Sequence, residues 1–125
     1  AIDSLERALR PETRMIWVES PTNPLLKVVD LSAVAALGEK HDVLTVCDNT
    51  FATPYVQRPL ELGFDVVVHS LTKYLNGHSD VIGGALVVND IDLGDSLRFL
   101  QNAVGAVLGP FDAFMVHRGI KTLSL

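Results

Sequence analysis

The chain has 125 residues, of which 48% are hydrophobic, with a positive mean hydropathy and a formal net charge of −5 at pH 7. Its length suits one small domain, and no apolar run reaches the roughly 18–20 residues that a membrane-spanning helix needs. The scattered basic residues argue against a nucleic-acid surface. The single cysteine, Cys47, excludes an internal disulfide and fits a cytoplasmic protein.

The first third of the chain predicts two helices with a strand and a loop between them. Asp3 and Glu6 have the spacing of a capping box, so we expect a short helix with Asp3 as its N-cap, ending before Pro11. The next elements are expected to be a buried strand at residues 15–18, a proline-interrupted loop at 20–24 and a helix at 31–40 capped by Asp30.

The remaining sequence predicts short apolar strands that alternate with polar loops and helices. The expected elements are strands at residues 43–47, 65–68 and 83–88, loops at 48–54 and 70–79, a helical turn at 59–62 closed by Gly63, and a last helix from Phe111. Leu93, Leu97, Leu100 and Val104 recur at helical spacing, which predicts a helix whose apolar side is core or subunit interface.

Both ends of the chain favour a fragment of a longer polypeptide. The sequence begins with Ala1 and ends in an apolar stretch at residues 120–125. We therefore expect missing parts to cover some of its apolar surface.

The alternation of helices with apolar strands predicts an α/β fold with a mainly parallel sheet. Polar residues follow three of the strands, and ligands of open α/β sheets bind outside the carboxyl ends of strands. These residues are Glu19 to Asn23 after the first strand, Asp48 to Thr50 after the second, and His69 to Lys73 after the third. We expect them to converge on one site.

This set of side chains suits pyridoxal 5′-phosphate (PLP). That cofactor needs an amine for a Schiff base, a carboxylate at its pyridine nitrogen and donors for its phosphate. Lys73 can supply the amine and Asp48 the carboxylate. Ser70 and Thr72 can contact the phosphate, and Asn23 can donate to the phenolate oxygen of the ring.

Three segments then resemble successive signatures of the cystathionine γ-lyase and γ-synthase family of PLP enzymes. They are ESPTNP at residues 19–24, DNTFATP at 48–54 and SLTKYLNGHSD at 70–80, and the similarity covers nearly the whole chain. The resemblance implies that residues 1–125 are part of the large PLP-binding domain of a type I PLP-transferase fold.

The resemblance also implies a role for each candidate residue. Lys73 would be the Schiff-base lysine and proton shuttle, Asp48 would hold the pyridine nitrogen, and Thr50 would lie against the ring. Ser70 and Thr72 would bind the phosphate, and Asn23 would contact the phenolate oxygen and the substrate carboxylate. We expect only structural hydrogen bonds from His69 and His78, since the lysine already serves as the base.

Further family parts would lie outside this chain. The resemblance implies a homotetramer of catalytic dimers, an N-terminal segment with a phosphate loop, a ring-stacking tyrosine and residues for the partner subunit. It also implies a small C-terminal domain whose arginine binds the substrate carboxylate.

The reaction expected from the resemblance is γ-elimination from cystathionine, as in a cystathionine γ-lyase. Cystathionine γ-synthase, which joins cysteine to an activated homoserine, and related carbon–sulfur lyases remain alternatives. A truncated, inert structural module is an alternative of another class. A nucleotide-binding domain is disfavoured, since the sequence has neither a G-x-G-x-x-G nor a Walker A motif.

Overall fold

Four β-strands and five α-helices are found in residues 2–125, the part of the chain that the computed structural model describes. The strands are β1 (Met15–Glu19), β2 (Leu44–Asp48), β3 (Val66–Ser70) and β4 (Gly84–Val88). The helices are α1 (Ile2–Ala8), α2 (Leu31–His41), α3 (Thr53–Val56), α4 (Ile91–Val104) and α5 (Pro110–Ile120). A 3-10 turn at Pro59–Leu62 precedes β3, and a wider turn at Leu71–Leu75 follows it.

The four strands form one sheet in the order β1-β2-β3-β4. The first three strands run parallel, and β4 returns antiparallel along β3. The predicted mainly parallel sheet flanked by helices is thus confirmed. Since parallel strands end at a common edge, this order brings the carboxyl ends of β1, β2 and β3 together.

The main core lies between the sheet and α2. Val34, Cys47 and Phe64 are buried there, with Ile16 of the first strand. Helix α2 begins where Ala33 N–H donates to the Asp30 side chain at 3.0 Å, as the predicted N-cap requires. This cap and the buried face fix the helix against the sheet.

A second, smaller core lies under the wide turn at Leu71–Leu75. Leu71, Leu75 and Val81 are buried there against Val116 of α5. The segment that carries Lys73 is therefore supported from below by its own apolar side chains.

Several predicted element boundaries were wrong. Helix α1 already begins at Ile2, so Asp3 lies inside the first turn and is not the N-cap; an acidic side chain is favourable at either place because both face the positive end of the helix. The loop predicted at residues 48–54 ends early, since α3 begins at Thr53. Helix α4 begins at Ile91, where Asp90 caps it through Leu93 N–H at 2.7 Å.

The apolar side of α4 is not part of the core of the described residues. None of the helix residues is buried, and Phe99, Leu100 and Val104 are exposed. The leucine spacing predicted that this side is either core or subunit interface. Burial in the core of the described residues is therefore wrong. Within residues 2–125, no helix combines the length and apolar character needed to cross a membrane.

Candidate active site

One open cleft of about 1150 Å³ lies at the carboxyl edge of the three parallel strands. All six residues proposed from the sequence line it, namely Asn23, Asp48, Thr50, Ser70, Thr72 and Lys73. The predicted convergence of these strand ends is therefore found in the structure.

The sheet itself orients the polar residues at the strand ends. Asp48 pairs with Glu19 on one side and Val68 on the other. Ser70 follows Val68 by two residues, so its side chain and that of Asp48 point to the same face. The strands end one or two residues later than predicted, because ladder hydrogen bonds do not need apolar side chains. Glu19, Asp48 and Ser70 thus belong to strands and not to flexible loops.

Thr50 connects the ends of β2 and β3. Its hydroxyl donates to Asp48 Oδ1 at 2.6 Å, and its backbone N–H donates to the same oxygen at 3.0 Å. The hydroxyl oxygen also accepts the backbone N–H of Ser70 at 2.8 Å. Thr50 therefore fixes the Asp48 carboxylate, a contact that the sequence did not reveal. The two hydrogen bonds that Thr50 donates to Asp48 both reach Oδ1, and within residues 2–125 no hydrogen bond reaches Oδ2 of Asp48.

An amide pair lies directly behind Asp48, at the end of β2. Asn49 is fully buried, and its Nδ2 donates to Gln57 O at 2.8 Å. Gln57 Nε2 donates in turn to Asn49 Oδ1 at 2.8 Å and to Ser20 O at 2.9 Å. Sequence reasoning missed this pair. The sequence feature that could have indicated it is the amide of Asn49 directly after Asp48, because a polar side chain that becomes buried there needs hydrogen-bond partners.

Thr72 fastens the start of the lysine segment to the start of β4. Gly83 N–H donates to the Thr72 hydroxyl oxygen at 3.1 Å, and Leu71 N–H donates to Gly83 O at 2.9 Å. A hydroxyl has a second lone pair and one proton. The proton is directed at Gly83 O at 3.4 Å, a long contact, so Thr72 can keep the bond from Gly83 N–H and turn its proton toward an anion in the cleft.

Lys73 lies at the exposed centre of the wide turn. Asn76 N–H donates to Leu71 O at 3.2 Å across the turn, and Gly77 N–H donates to Lys73 O at 2.8 Å. None of the ion pairs formed within residues 2–125 includes Lys73. The backbone is held, and the amine is not committed to a carboxylate.

Asn23 reaches the cleft from the proline-rich segment after β1. It is exposed, and both the Ser20–Pro21 and the Asn23–Pro24 peptide bonds are cis. Ser20 anchors the segment, because its hydroxyl accepts Val29 N–H at 3.2 Å.

Burial sets the protonation of two groups next to Asp48. Desolvation, with a smaller contribution from the Asp48 charge, raises the pKa of the Cys47 thiol to about 12. Desolvation lowers the pKa of His69, although Asp48 opposes the shift. Both side chains are therefore neutral at pH 7, and neither is suited to act as a nucleophile or cationic donor.

The two histidines of the site region differ in their contacts. His78 Nδ1 lies 2.6 Å from Asn76 O, which confirms the structural hydrogen bond expected for it. The buried Nδ1 of His69 has no hydrogen-bond partner in the described residues. The bond expected for His69 is not made by that nitrogen.

Comparison with known proteins gives matches over the whole chain. The family model described as "Cys/Met metabolism PLP-dependent enzyme" matches residues 1–125. A cystathionine β-lyase of Coxiella burnetii is 56% identical over 124 residues, which is 98% of this chain and 32% of that protein. A cystathionine γ-synthase of Mycobacterium bovis is also 56% identical, over 99% of this chain and 32% of that protein.

A solved structure has nearly the same backbone. It is the crystal structure of cystathionine γ-lyase from Lactobacillus plantarum complexed with L-serine, with a TM-score of 0.98 and 49% identity. The match covers 99% of this chain and 32% of that one. The α/β fold predicted for this chain is confirmed, and the chain spans about a third of the length of these relatives.

Proposed function

This chain belongs to the family of Cys/Met metabolism PLP-dependent enzymes, and we propose that its cleft holds PLP for carbon–sulfur bond chemistry on cystathionine. The observation that carries this proposal is that the Lys73 side chain and the Asp48 carboxylate line one cleft. A lysine amine and a carboxylate are the two groups that this cofactor requires at its opposite ends.

The residues of the cleft fit the cofactor in number and in chemistry. Asp48 has Oδ1 held by Thr50, which leaves Oδ2 to accept a pyridinium N–H. Ser70 and Thr72 would donate to the phosphate, and Asn23 to the phenolate oxygen. Thr50 would lie against the ring. When bound, PLP supplies an electron sink for charge that develops at the α-carbon of an amino-acid substrate.

Lys73 would carry out the proton transfers. Its amine is free of ion pairs within the described residues, so in its neutral form it can accept the proton from the substrate α-carbon. The long, flexible stem lets the same nitrogen reach the neighbouring β-carbon. The Asp48 carboxylate would accept the N–H of the pyridine nitrogen and so keep that nitrogen protonated. The cleft would thus perform base catalysis with one nitrogen and electrostatic stabilisation with one carboxylate.

We propose γ-elimination as the specific reaction. Cleavage of cystathionine between sulfur and the γ-carbon, with consumption of one water, releases cysteine, ammonia and a four-carbon oxo acid. The γ-lyase name of the Lactobacillus plantarum structure supports this choice. The test is to incubate the full-length protein with cystathionine and identify the thiol product. Cysteine supports the γ-lyase, whereas homocysteine with a three-carbon oxo acid indicates a β-lyase.

A cystathionine γ-synthase is the second candidate, favoured by the name of the Mycobacterium bovis relative. The same protein should then form cystathionine from cysteine and an activated homoserine ester. If the protein catalyses neither γ-elimination, β-elimination nor cystathionine synthesis, and shows no visible absorbance from bound PLP, the inert structural module is the hypothesis that remains. Lys73→Ala is the matched variant, and we expect it to lose the absorbance of the bound cofactor and at least about a thousandfold in kcat.

A homotetramer built from catalytic dimers is part of the same proposal. Its support is the exposed apolar surface of α4 and α5, including Phe99 and Phe114. Light scattering of the full-length protein at several concentrations tests it, and a monomer at all of them would contradict it.

A further inference from the structure

The turn that carries Lys73 is connected to α5 by successive side-chain hydrogen bonds, and none of the side chains involved is one of the groups proposed to react. The first is Asn76, whose backbone N–H closes the turn on Leu71 O. Its side chain is fully buried, and Nδ2 donates to Asp80 Oδ1 at 2.7 Å. The position of the turn is therefore coupled to the position of Asp80.

Asp80 is held in turn by α5. Arg118 Nη2 donates to Asp80 Oδ2 at 2.8 Å. The hydrogen bond from Asn76 and then the one from Arg118 lower the pKa of Asp80. The carboxylate is ionised at pH 7 and uses one oxygen for each partner.

Within the described residues, the side-chain amide of Asn76 is hydrogen-bonded to Asp80 alone. The buried Oδ1 of Asn76 and the buried Nε of Arg118 have no hydrogen-bond partner there. Loss of Asp80 would leave a fully buried amide without any partner, which is unfavourable enough to force a rearrangement. Loss of Arg118 would leave Asp80 free to rotate away from Asn76.

The backbone of α5 touches the same residue. A Cβ built on Gly119 would lie 2.1 Å from Asn76 O, so the helix approaches the turn at a distance that only glycine allows. Val116, one turn earlier, packs into the small core with Leu71 and Leu75. Arg118 is thus placed on a helix whose position against the turn is already fixed.

We propose that Arg118 is a positioning residue for the reaction. Through Asp80 and Asn76 it fixes the turn Leu71–Leu75, and so the point from which the Lys73 amine enters the cleft. This rests on the proposed function in one respect, which is that Lys73 is the reacting amine. Misplacement of a reacting group by about 1 Å can reduce a rate by about a hundredfold.

The test is Arg118→Ala in the full-length holoenzyme, assayed in whichever carbon–sulfur reaction the wild type catalyses. We expect kcat to fall at least about tenfold while KM changes less than about threefold, because Arg118 does not line the cleft. The pH titration of the visible absorbance of bound PLP should also shift. Arg118→Lys should restore part of kcat, since an ammonium can still donate to Asp80.

Arg58→Ala is the matched control. It removes an exposed Arg–Glu ion pair, Arg58 to Glu61 at 3.0 Å, that lies at the 3-10 turn before β3 and on neither α4 nor α5. We expect it to leave kcat and the absorbance titration unchanged. A general effect of deleting any surface ion pair would appear in both variants and would overturn the proposal.

Two outcomes for Arg118 would also overturn the proposal: a fully folded Arg118→Ala with kcat within about twofold of wild type, or unchanged absorbance at every pH. If Arg118→Ala does not fold, Asp80→Asn decides by kcat and the absorbance titration alone, because Asp80 itself lines the cleft. Lys73→Ala separates this proposal from the proposed function. Cofactor absorbance that survives in Lys73→Ala contradicts the function itself, whereas a normal Arg118→Ala beside an inactive Lys73→Ala contradicts only the positioning role.

Discussion

Thr50 shows how one hydroxyl can organise a site at the scale of a single residue. It bonds to Asp48 at the end of β2 and to the backbone of Ser70 at the end of β3. The sequence placed Thr50 against a ring face, a role that stays a prediction. The structure adds that Thr50 orients the carboxylate on which the charge balance of the proposed site depends.

Replacing Thr50 by Val tests this orientation. The change preserves shape but leaves Ser70 N–H without its partner and Asp48 with one hydrogen bond fewer. We expect PLP to bind about tenfold more weakly in the full-length enzyme, which corresponds to about 1.4 kcal/mol for the lost hydrogen bonds. The dissociation constant is measurable from the visible absorbance. Thr50→Ser, which keeps the hydroxyl, should bind as the wild type does, and equal weakening in both variants would contradict the argument.

Five of the six site residues could be proposed from residue chemistry, because each is a reactive or hydrogen-bonding type at or shortly after a strand end, whereas the role of Thr50 was implied by the family resemblance. The cleft brings all six together, while their roles toward a cofactor stay predictions. Asn49 and Gln57 could not be paired from the sequence. Their contact depends on how the loop after β2 folds back, and eight positions of separation do not indicate that.

At the scale of elements, close packing between α2 and β2 holds the edge of the main core. A Cβ built on Gly38 would lie 2.2 Å from Thr45 Cγ2 and 3.0 Å from Val43 O. The first neighbour is part of a buried strand residue and the second is backbone, so neither can easily move. Helix α2 can therefore approach the strand this closely only without a side chain at this position.

Gly38→Ala should lower the stability of the full-length protein. We expect about 1–3 kcal/mol of destabilisation from overpacking, reduced by up to about 1 kcal/mol because alanine favours helix. The midpoint of thermal unfolding measures the net effect. Gly94→Ala in α4 is the matched control, since its Cβ would meet only the Val88 side chain at 3.3 Å. A larger loss at Gly94 than at Gly38 would show that packing is not the cause.

Element types were predictable where periodicity or capping was strong, as for α2 behind Asp30. The residues at which elements begin and end were less predictable. The polar ends of β2 and β3 were predicted to be loop, because the prediction relied on apolar side chains. A strand continues as long as its backbone makes hydrogen bonds to the next strand, whatever its side chains are. The antiparallel direction of β4 could not be predicted from the sequence either. An apolar strand has the same composition whichever way it runs, and only the connection at Leu71 to Gly83 decides it.

At the scale of the whole molecule, buried ionisable groups make stability depend on pH at both ends of the range. His69 has a lowered pKa in the fold, so below pH 6.5 the unfolded chain binds a proton that the folded chain resists. Cys47 has a raised pKa, so above pH 9.0 the unfolded chain loses a proton that the folded chain keeps, up to about pH 12. In both directions the folded state loses stability relative to the unfolded state.

We therefore expect the full-length protein to be most stable between about pH 6.5 and 9. Above that window the Cys47 contribution should decrease by about 1.4 kcal/mol for each pH unit at most. Thermal unfolding at pH 7 and pH 10 measures the difference. Cys47→Ala should reduce that difference, although its stability at pH 7 falls through the lost packing. A variant with the same alkaline loss as the wild type would mean that another group is responsible.

The antiparallel return of β4 has a mechanical consequence for the lysine segment. Ser70 and Gly84 are register partners, so the segment between them leaves and rejoins the sheet at one place. Its two ends cannot separate without breaking the β3–β4 ladder, so the segment could move as a whole only by pivoting at this place, which its contacts with α5 oppose. While these contacts hold, the proposed travel of the Lys73 amine between carbon atoms would come from rotation about the bonds of its own side chain.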